Sequence, residues 1–272
     1  MDFPYICEMK ITASQRKLIA SLSSARRRRE EKLFVAEGIR CLSELLPVFR
    51  LRYLVATSAW LEANGDRLAE LTGNGLADDR LLVARNDEME RMSTMTTPQG
   101  VLGVFEMPDP TGGAADINSG ELVLALDRVQ DPGNLGTIVR TADWFGVRTI
   151  LASSDTVDVY NPKVLQSTMG AIARVNVRYC DLVESLRTLA AKGIPVYGTF
   201  LDGKNLFKEK LDGGVVVMGN EGNGISPVVA ELVTRRVTIP SYPEDNDTVE
   251  SLNVGIATAV VLSYARMRAA AD

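Results

Sequence analysis

The chain has 272 residues, of which 46% are hydrophobic and 24% are charged, and its formal net charge is −5. This composition is normal for a globular protein with one large domain or two ordinary ones, and the absence of histidine removes the commonest general base and the commonest transition-metal ligand. Because Cys7, Cys41 and Cys180 lie far apart without a CxxC pair, we expect neither a disulfide framework nor a metal.

The most basic part of the chain runs from Lys10 to Lys32, where eight lysines and arginines stand against two glutamates. Since the remainder is acidic, the charge argues against indiscriminate binding to nucleic acid, although a local patch can still bind phosphates. The candidate phosphate contacts are Arg26, Arg27, Arg28 and Arg29. The alternative interpretation is a solvated helix end.

Short helical and extended segments alternate through the first 108 residues. Helices are predicted from about Ser14, at IRCLSELL, near Trp60 and at DEMERM, and strands at LFVAE, RYLVAT, LLVA and VLGVFEM. This alternation predicts a small α/β domain over residues 1–108. A linker rich in Pro, Gly and small polar residues follows over residues 109–120.

The alternation restarts in residues 121–272. The predicted strands are LVLALD, RTILAS, RVNVRY, IPVYGTF, VVVMG and RRVTIP. Continuous apolar runs such as VVVMG indicate a parallel sheet covered on both faces. The predicted fold is therefore α/β, with a parallel-sheet domain after the smaller first domain.

Three loops that connect strands to helices in the second domain have unusual content. They read DRVQDPGNLGTIVRTAD, GNEGNGIS and SYPEDNDTVESLNVG. Open parallel sheets bind ligands beyond the carboxyl ends of their strands, which is where these loops are predicted to lie. Together and in this order, they predict a ligand site.

Polar side chains in these loops are the candidate functional residues, and each also has an ordinary explanation. Asn134 can cap the helix of the first loop, and Arg140 can be a solvated surface charge. Glu221 stands among glycines that permit close approach of the backbone to a ligand. Ser251 is a natural N-cap for the last helix, and Asn253 lies at the start of that helix.

The last helix is predicted from about Ser251 to Arg268 and contains the apolar stretch VGIATAVVLSYA. This stretch is too short to span a bilayer, and its small residues would let another helix approach closely. The first ten residues lack the basic start and apolar core of a secretory signal. We therefore expect a cytoplasmic protein without a membrane partner.

Familiar nucleotide and hydrolase motifs fit the sequence poorly. No GxxxxGK[ST] sequence is present, and no GxGxxG follows the first strand of either domain. No GxSxG sequence is present, and a catalytic triad would lack its histidine.

The three loops resemble something more specific. NLGTIVRTAD, VMGNEGNGIS and IPSYPEDNDTVESLNVGIATAV are similar to the three motifs of the SpoU/TrmH-type RNA ribose methyltransferases, members of the SPOUT superfamily. The resemblance covers Glu121 to about Arg268. It extends more loosely to FVAEGIRCLSELL and MTTPQGVLGVFEMP, which resemble the ribosomal-protein-like RNA-binding domain of the family. SYPEDNDTVE departs from the pattern, because it is longer and more acidic than the usual segment before SLNV.

The resemblance implies an α/β-knot fold, in which the C-terminal segment threads through a loop to form a trefoil knot. It also implies a homodimer, with the motif arginine close to the partner's cofactor pocket. S-adenosylmethionine would bind through Gly219, Ile239 and Leu252, with Thr199 as a further wall. The functional polar positions of the family correspond to Asn134, Arg140, Glu221, Ser251 and Asn253.

The implied activity is transfer of a methyl group to a ribose 2′-hydroxyl of structured RNA, with ribosomal RNA favoured over transfer RNA. The family usually assigns activation of the hydroxyl to the residue matching Arg140. A guanidinium rarely gives up its proton, so we expect instead that it binds a phosphate and stabilises negative charge. The alternatives are a tRNA 2′-O-methyltransferase, a catalytically silent RNA-binding assembly factor of the same fold and, more weakly, an enzyme acting on a small nucleotide.

Overall fold

The structure is a computed structural model that describes residues 9–73, 78–109, 113–211, 213–242 and 251–269. The chain divides into two compact units. The first consists of Met1–Asp109 and Tyr160–Ala173, and the second of Pro110–Val159 and Arg174–Asp272. Most of the acidic loop Ser241–Glu250 lies outside the described residues.

Helices and strands alternate along most of the chain. Up to residue 109 the elements are β1 (Met9–Lys10), α1 (Ala13–Ser21), α2 (Ala25–Glu31), β2 (Leu33–Glu37), α3 (Ile39–Leu45), β3 (Leu51–Thr57), α4 (Ser58–Thr72), β4 (Leu81–Ala84), α5 (Asn86–Met92) and β5 (Val101–Glu106). The later elements are β6 (Leu122–Leu126), α6 (Pro132–Trp144), β7 (Thr149–Ala152), α7 (Pro162–Thr168), β8 (Asn176–Tyr179), α8 (Leu182–Ala191), β9 (Val196–Asn205), β10 (Gly214–Met218), α9 (Pro227–Ala230), β11 (Arg235–Thr238) and α10 (Val254–Ala269).

The first unit contains a mixed sheet with strand order β1-β4-β3-β5-β2 among its described residues. β5 pairs antiparallel with both β2 and β3, whereas β4 pairs parallel with β1 and β3. Ile19 and Leu22, from α1 and its C-terminal cap, share a buried cluster with Leu82 and Leu102 of the sheet. This burial confirms the predicted smaller α/β domain ahead of the parallel-sheet domain.

An aromatic cluster joins a later part of the chain to the first unit. Phe34 is fully buried, and its ring centroid lies 4.6 Å from that of Tyr160, 5.3 Å from that of Phe49 and 5.5 Å from that of Phe105. α7 follows directly and buries Val164. Residues 160–173 therefore pack with the first unit, although the predicted boundaries 1–108, 109–120 and 121–272 place them in the second domain.

The second unit contains a parallel sheet whose described strands have the order β11-β9-β10-β6-β7-β8. β6 and β10 lie side by side at its centre, and every residue of both strands is buried. This confirms the parallel sheet predicted from the continuous apolar runs. The chain proceeds outward from β6 through β7 and β8, and then returns to the other side of β6, so the order reverses between β6 and β10.

The expected knot depends on the passage between β11 and α10. Residues 243–250 of that passage lie outside the described residues, so the threading of the chain stays a prediction. Within the described residues, no helix is both long enough and apolar enough to cross a membrane.

Candidate active site

The point where the strand order reverses is where an open α/β sheet leaves a crevice beyond its strand ends. The loops after β6 and β10 both begin at this point. They are the first two of the three loops singled out in the sequence. The fold therefore brings segments about 90 residues apart together at one end of the sheet. The hydrogen bond between Asn134 and Glu221 is an example.

α6 begins at a cap that leaves the Asn134 side chain free for other contacts. Asp131 is the N-cap, and its carboxylate accepts a hydrogen bond of 2.8 Å from the backbone N–H of Asn134. Pro132 occupies the first helical turn, where its missing N–H costs nothing. The interpretation of Asn134 as the cap is therefore wrong, because the Asp-Pro pair starts the helix earlier.

Glu221 lies against the start of α6. Its Oε1 accepts hydrogen bonds from Asn134 Nδ2 at 3.0 Å and from the backbone N–H of Asp131 at 3.3 Å. Its Oε2 accepts one from the backbone N–H of Gln130 at 3.4 Å. A carboxylate suits this place, because the N-terminus of a helix carries partial positive charge. Glu221 thus fastens the second loop to the first.

Asn253 connects the third loop to the same point. Its Oδ1 accepts hydrogen bonds from the backbone N–H groups of Gly255 at 2.9 Å and Ile256 at 3.3 Å, so Asn253 is the N-cap of α10. Its Nδ2 donates to Asn134 Oδ1 at 2.8 Å. The prediction that Ser251 caps this helix is wrong, because α10 begins at Val254, two residues later than that cap requires.

Glu221, Asn134 and Asn253 form a chain of hydrogen bonds whose direction follows from their chemistry. An ionised carboxylate only accepts, so Asn134 must present its amide N–H to Glu221 and its carbonyl oxygen to Asn253. Asn253 then has its own oxygen left for the N–H groups of α10. We call this set the amide chain. It links all three loops and permits only one orientation of each amide.

Arg140 lies two turns further along α6 and is exposed. It makes no hydrogen bond or ion pair with any part of the chain that the structure describes. Among the described contacts, Glu221 bonds to the start of α6 and not to Arg140. No carboxylate of the described residues therefore occupies the guanidinium.

The remaining predicted positions lie near strand ends or just before α10. Thr199 follows the part of β9 that pairs with β10, Gly219 follows β10, and Ile239 follows β11. A Cβ atom at Gly219 would approach the carbonyl carbon of Gly224 to 2.3 Å, so this position requires glycine. Leu252 is 47% exposed, and Ser251 is exposed.

Helix α10 packs closely against α6. A Cβ atom at Gly255 would lie 3.0 Å from Thr137 Cγ2, so there is little room for a larger residue. At the far end, Arg266 donates to the backbone carbonyls of Phe145 at 2.6 Å and Gly146 at 3.1 Å. These contacts satisfy carbonyls that the end of α6 leaves unpaired.

The four arginines of α2 have different environments. Arg28 is 1% exposed and donates to the carbonyls of Leu22 and Ser23, both at 2.9 Å. These bonds connect Arg28 to the turn between α1 and α2. Arg28 is buried because, of four consecutive side chains on a helix, one must face the core. Arg28 is therefore withdrawn from the predicted phosphate contacts.

Glutamates partly neutralise two of the other arginines. Arg26 and Arg27 form ion pairs with Glu30 at 2.7 and 2.9 Å, and their hydrogen bonds hold the pKa of the Glu30 carboxyl below its usual value. Arg27 also pairs with Glu31 at 2.6 Å. Arg29 is exposed and has no ion pair within the described residues.

Sequence reasoning missed Asp131, Asn220 and Asp127. The Asp131-Pro132 pair is a recognisable cap signal, so Asp131 could have been found. Asn220 and Asp127 act through contacts about 90 to 100 positions away, which no local pattern reveals. No cluster of metal-binding side chains occurs within the described residues, and burial raises the pKa of the Cys41 thiol to about 12, which leaves it unreactive.

Comparison with known proteins identifies the class to which this site belongs. The family model of the SpoU rRNA Methylase family matches residues 121–263, more than half of the chain, and that of the MRM3-like substrate binding domain matches residues 14–103. The chain therefore belongs to the SpoU family of RNA methyltransferases.

Individual relatives agree with this assignment. The 23S rRNA (guanosine(2553)-2′-O)-methyltransferase RlmP of Bacillus subtilis is 32% identical over 66% of this chain and 70% of its own length. The 23S rRNA (guanosine-2′-O-)-methyltransferase RlmB of Neisseria meningitidis is 34% identical over 69% of this chain and 76% of its own. The structure of an AdoMet-bound rRNA methyltransferase from Sinorhizobium meliloti is 28% identical with a TM-score of 0.81, over 95% of this chain and 96% of that one.

Proposed function

We propose that the protein transfers a methyl group from S-adenosylmethionine to a ribose 2′-oxygen of ribosomal RNA in the cytoplasm. The observation that carries this proposal is the amide chain of Glu221, Asn134 and Asn253, which unites three loops of the SpoU family. The rRNA 2′-O-methyltransferases among the relatives support the choice of substrate.

The proposed cofactor position is near the ends of three strands of the second unit. Gly219 and Ile239 directly follow the parallel strands β10 and β11, and Thr199 lies within β9 just after the part that pairs with β10. Parallel sheets bind ligands near such strand ends. The glycine backbone at 219 and the exposed Leu252 suit a ligand held by main-chain groups and apolar contact. S-adenosylmethionine, when bound, supplies an activated methyl group and a neutral leaving group. The chain's own residues have then to align and activate the hydroxyl.

Arg140 is assigned an electrostatic role. A guanidinium matches the geometry of phosphate and rarely loses its proton, so it binds the RNA phosphate and stabilises negative charge on the 2′-oxygen. Its exposure and lack of an ion pair within the described residues leave it free for this role. Asn134 and Asn253 are held by the amide chain, about two turns of α6 away from Arg140, and Ser251 lies two residues before Asn253.

The proposed assembly is a homodimer built on α6 and α10. Ile256, Val260, Ser263 and Met267 recur at the spacing of one face of α10, and Ile256 and Met267 are 55% and 62% exposed. Trp144, at the end of α6, is 84% exposed. Apolar side chains this exposed on a packed helix pair favour burial against a second copy.

The first unit is proposed to hold RNA through α1 and α2. Lys17 and Arg27 line an open groove together with Ser14, Leu18 and Ser21. Arg29 adds a cation without an ion pair within the described residues. These groups can contact phosphates, which would position a folded RNA without reading its sequence.

Labelled methyl transfer tests the reaction directly. The protein is incubated with labelled S-adenosylmethionine and total RNA, and the rRNA and tRNA fractions are hydrolysed in alkali. A 2′-O-methyl group protects its adjoining linkage, so the expected product is an alkali-resistant labelled dinucleotide from rRNA. Label in tRNA alone would reassign the substrate, label in mononucleotides would mean base methylation, and no label would favour a silent RNA-binding factor.

A further inference from the structure

The loop after β10 contains a closed turn, residues 220–224, that holds itself together. The backbone N–H of Asn220 donates to the carbonyl of Gly224 at 3.0 Å, and that of Gly224 donates back at 2.9 Å. Asn220 Oδ1 accepts from the backbone N–H groups of Gly222 and Asn223, both at 3.0 Å. With these four bonds the turn behaves as one rigid piece, so its position depends on what ties it to the rest of the site.

The shortest hydrogen bond from the turn 220–224 to the rest of the site is donated by the Asn220 side chain. Asn220 Nδ2 donates to the backbone carbonyl of Arg128 at 2.8 Å. Arg128 has φ 60°, a left-handed conformation that costs a residue other than glycine about 1–2 kcal/mol. Its own N–H donates to Ser153 Oγ at 2.9 Å, which helps to hold this conformation. The carbonyl that receives Asn220 is thus itself held in place.

The other end of the loop is anchored separately. The backbone N–H of Ser226 donates to Asp127 Oδ2 at 2.6 Å, and Asp127 is 3% exposed. Both ends of the loop are therefore attached to consecutive residues at the end of β6. Of the two anchors, only Asn220 is adjacent to Glu221.

The contacts of Glu221 itself are longer. They range from 3.0 Å, to Asn134, to 3.4 Å, to the backbone of Gln130. A carboxylate held this way can tolerate several positions, whereas the side chain of Asn220 has only one orientation that satisfies both its acceptor and its donors. We infer that Asn220 is a positioning residue, a clasp that sets Glu221 against Asn134 and thereby orients the amide chain. This inference rests on the proposed function.

Replacement of the clasp separates positioning from folding. In Asn220→Ala, amide hydrogen exchange should rise in the turn around Gly222 and Asn223 but not in β10, with the melting temperature nearly unchanged. The single-turnover rate at saturating RNA and cofactor should fall by roughly 100-fold, as expected when reacting groups are displaced by about 1 Å. The matched control is Val228→Ala, which shortens a side chain that is 58% exposed on α9, just after the loop, and removes no hydrogen bond of the turn; it should match wild type in both measurements.

Asn220→Asp supplies a readout that loss of folding would not mimic. Aspartate still accepts from the turn, but its second oxygen faces the Arg128 carbonyl and lies close to Glu221 Oε2, which is 3.4 Å from Nδ2 in the wild type. The like charges favour protonation, and the protonated acid can donate to Arg128 again. The ratio of variant to wild-type rate should therefore rise as the pH falls.

A ratio constant with pH, or unchanged exchange in Asn220→Ala, would overturn the clasp. The exchange measurement needs neither RNA nor cofactor. Failure of the proposed reaction would therefore show in the wild type, separately from failure of the clasp.

Discussion

Arg140 and Arg28 show how differently two arginines of one chain behave. Arg140 is exposed and unpaired within the described residues, whereas Arg28 is buried and donates to two carbonyls. The side chains are chemically identical, so the helix face on which each lies decides its role. Replacing them should therefore affect different properties.

Arg140→Ala is expected to remove methyl transfer while leaving binding of S-adenosylmethionine nearly intact. Loss of a group that stabilises developing charge costs on the order of 100-fold or more in turnover. Single-turnover methylation and calorimetric titration of the cofactor measure the two effects. Equal loss of methyl transfer and of cofactor binding would assign Arg140 a structural role instead.

Arg28→Ala is expected to destabilise the first unit by about 1–3 kcal/mol, because it leaves the buried carbonyl of Leu22 and the partly buried carbonyl of Ser23 without this donor. Arg29→Ala, one position further, should leave the melting temperature unchanged and weaken RNA binding. It should also reduce the salt slope of binding by about one. Denaturation and filter binding over a range of salt concentrations distinguish the two, and a normal stability of Arg28→Ala would contradict its assignment.

Glu30→Gln should strengthen RNA binding, because it removes the carboxylate paired with Arg26 and one of the two carboxylates paired with Arg27, which keeps its ion pair with Glu31. Hydrogen bonds from these arginines lower the pKa of Glu30, so the carboxylate is ionised and the pairs persist at neutral pH. Binding of rRNA fragments at moderate salt tests this. Weaker binding of the variant would remove Arg26 and Arg27 from the RNA contacts.

At the scale of elements, hydrogen bonds connect α6 and α10 at both ends of the helix pair. Asn253 joins the start of α10 to Asn134, and Arg266 joins the other end to the carbonyls after α6. Between them Gly255 permits the close approach to Thr137. The helix pair is therefore a rigid platform for the third loop, and the two tasks of Asn253, capping and bridging, can be tested apart.

Asn253→Asp is expected to keep the cap of α10 and lose the bridge. Aspartate still accepts from Gly255 and Ile256 but cannot donate to Asn134, so stability should hold while turnover falls. Asn253→Ala should lose both, with a cost of about 1 kcal/mol in stability. Thermal unfolding and single-turnover rates separate these effects; full activity of the aspartate variant would show that the bridge is dispensable.

At the scale of the whole molecule, the two units are not consecutive stretches of chain. The segment Tyr160–Ala173 leaves the second unit and completes the aromatic cluster of the first. The chain therefore passes between the units at 109–110, 159–160 and 173–174. A linker and one domain boundary, as the sequence suggested, would have given a single passage.

Tyr160→Ala should loosen the first unit. It removes a ring that packs 4.6 Å from Phe34, and comparable losses cost about 2 kcal/mol or more. Amide exchange should rise in β2 and not in β10. Met169→Ala, in the same segment but at a position that is 43% exposed, is the control. Equal amide exchange in β2 for both variants would show that the Tyr160 ring does not stabilise the first unit.

The proposed dimer has its own test. Ile256→Glu should convert the dimer to a monomer in analytical ultracentrifugation, because a charge would be buried against an apolar partner face. Activity should fall with it, since Arg140 is expected to act close to the pocket of the partner. Val48→Glu, which changes another exposed apolar residue of 58% exposure, should leave assembly unchanged. A wild-type monomer would refute the dimer.

The sequence by itself determined the parallel sheet, the family and the loops that meet at the switch in strand order. Apolar runs, glycines and the spacing around Asn134, Arg140 and Glu221 are local patterns, and local patterns follow from backbone and side-chain preferences that a sequence carries directly. The start of α6 could have been placed correctly too, since the Asp131-Pro132 pair was readable.

Only the tertiary structure decided which polar group meets which. In the structure Arg28 is buried, and Asn253 rather than Ser251 caps α10. Glu221 bonds to the start of α6, and residues 160–173 pack with the first unit. Each of these outcomes depends on partners that are distant in the chain or on which helix face is buried. A hydrogen bond forms only when donor and acceptor lie within about 3.5 Å, and proximity of that kind is a property of the packed fold rather than of any segment.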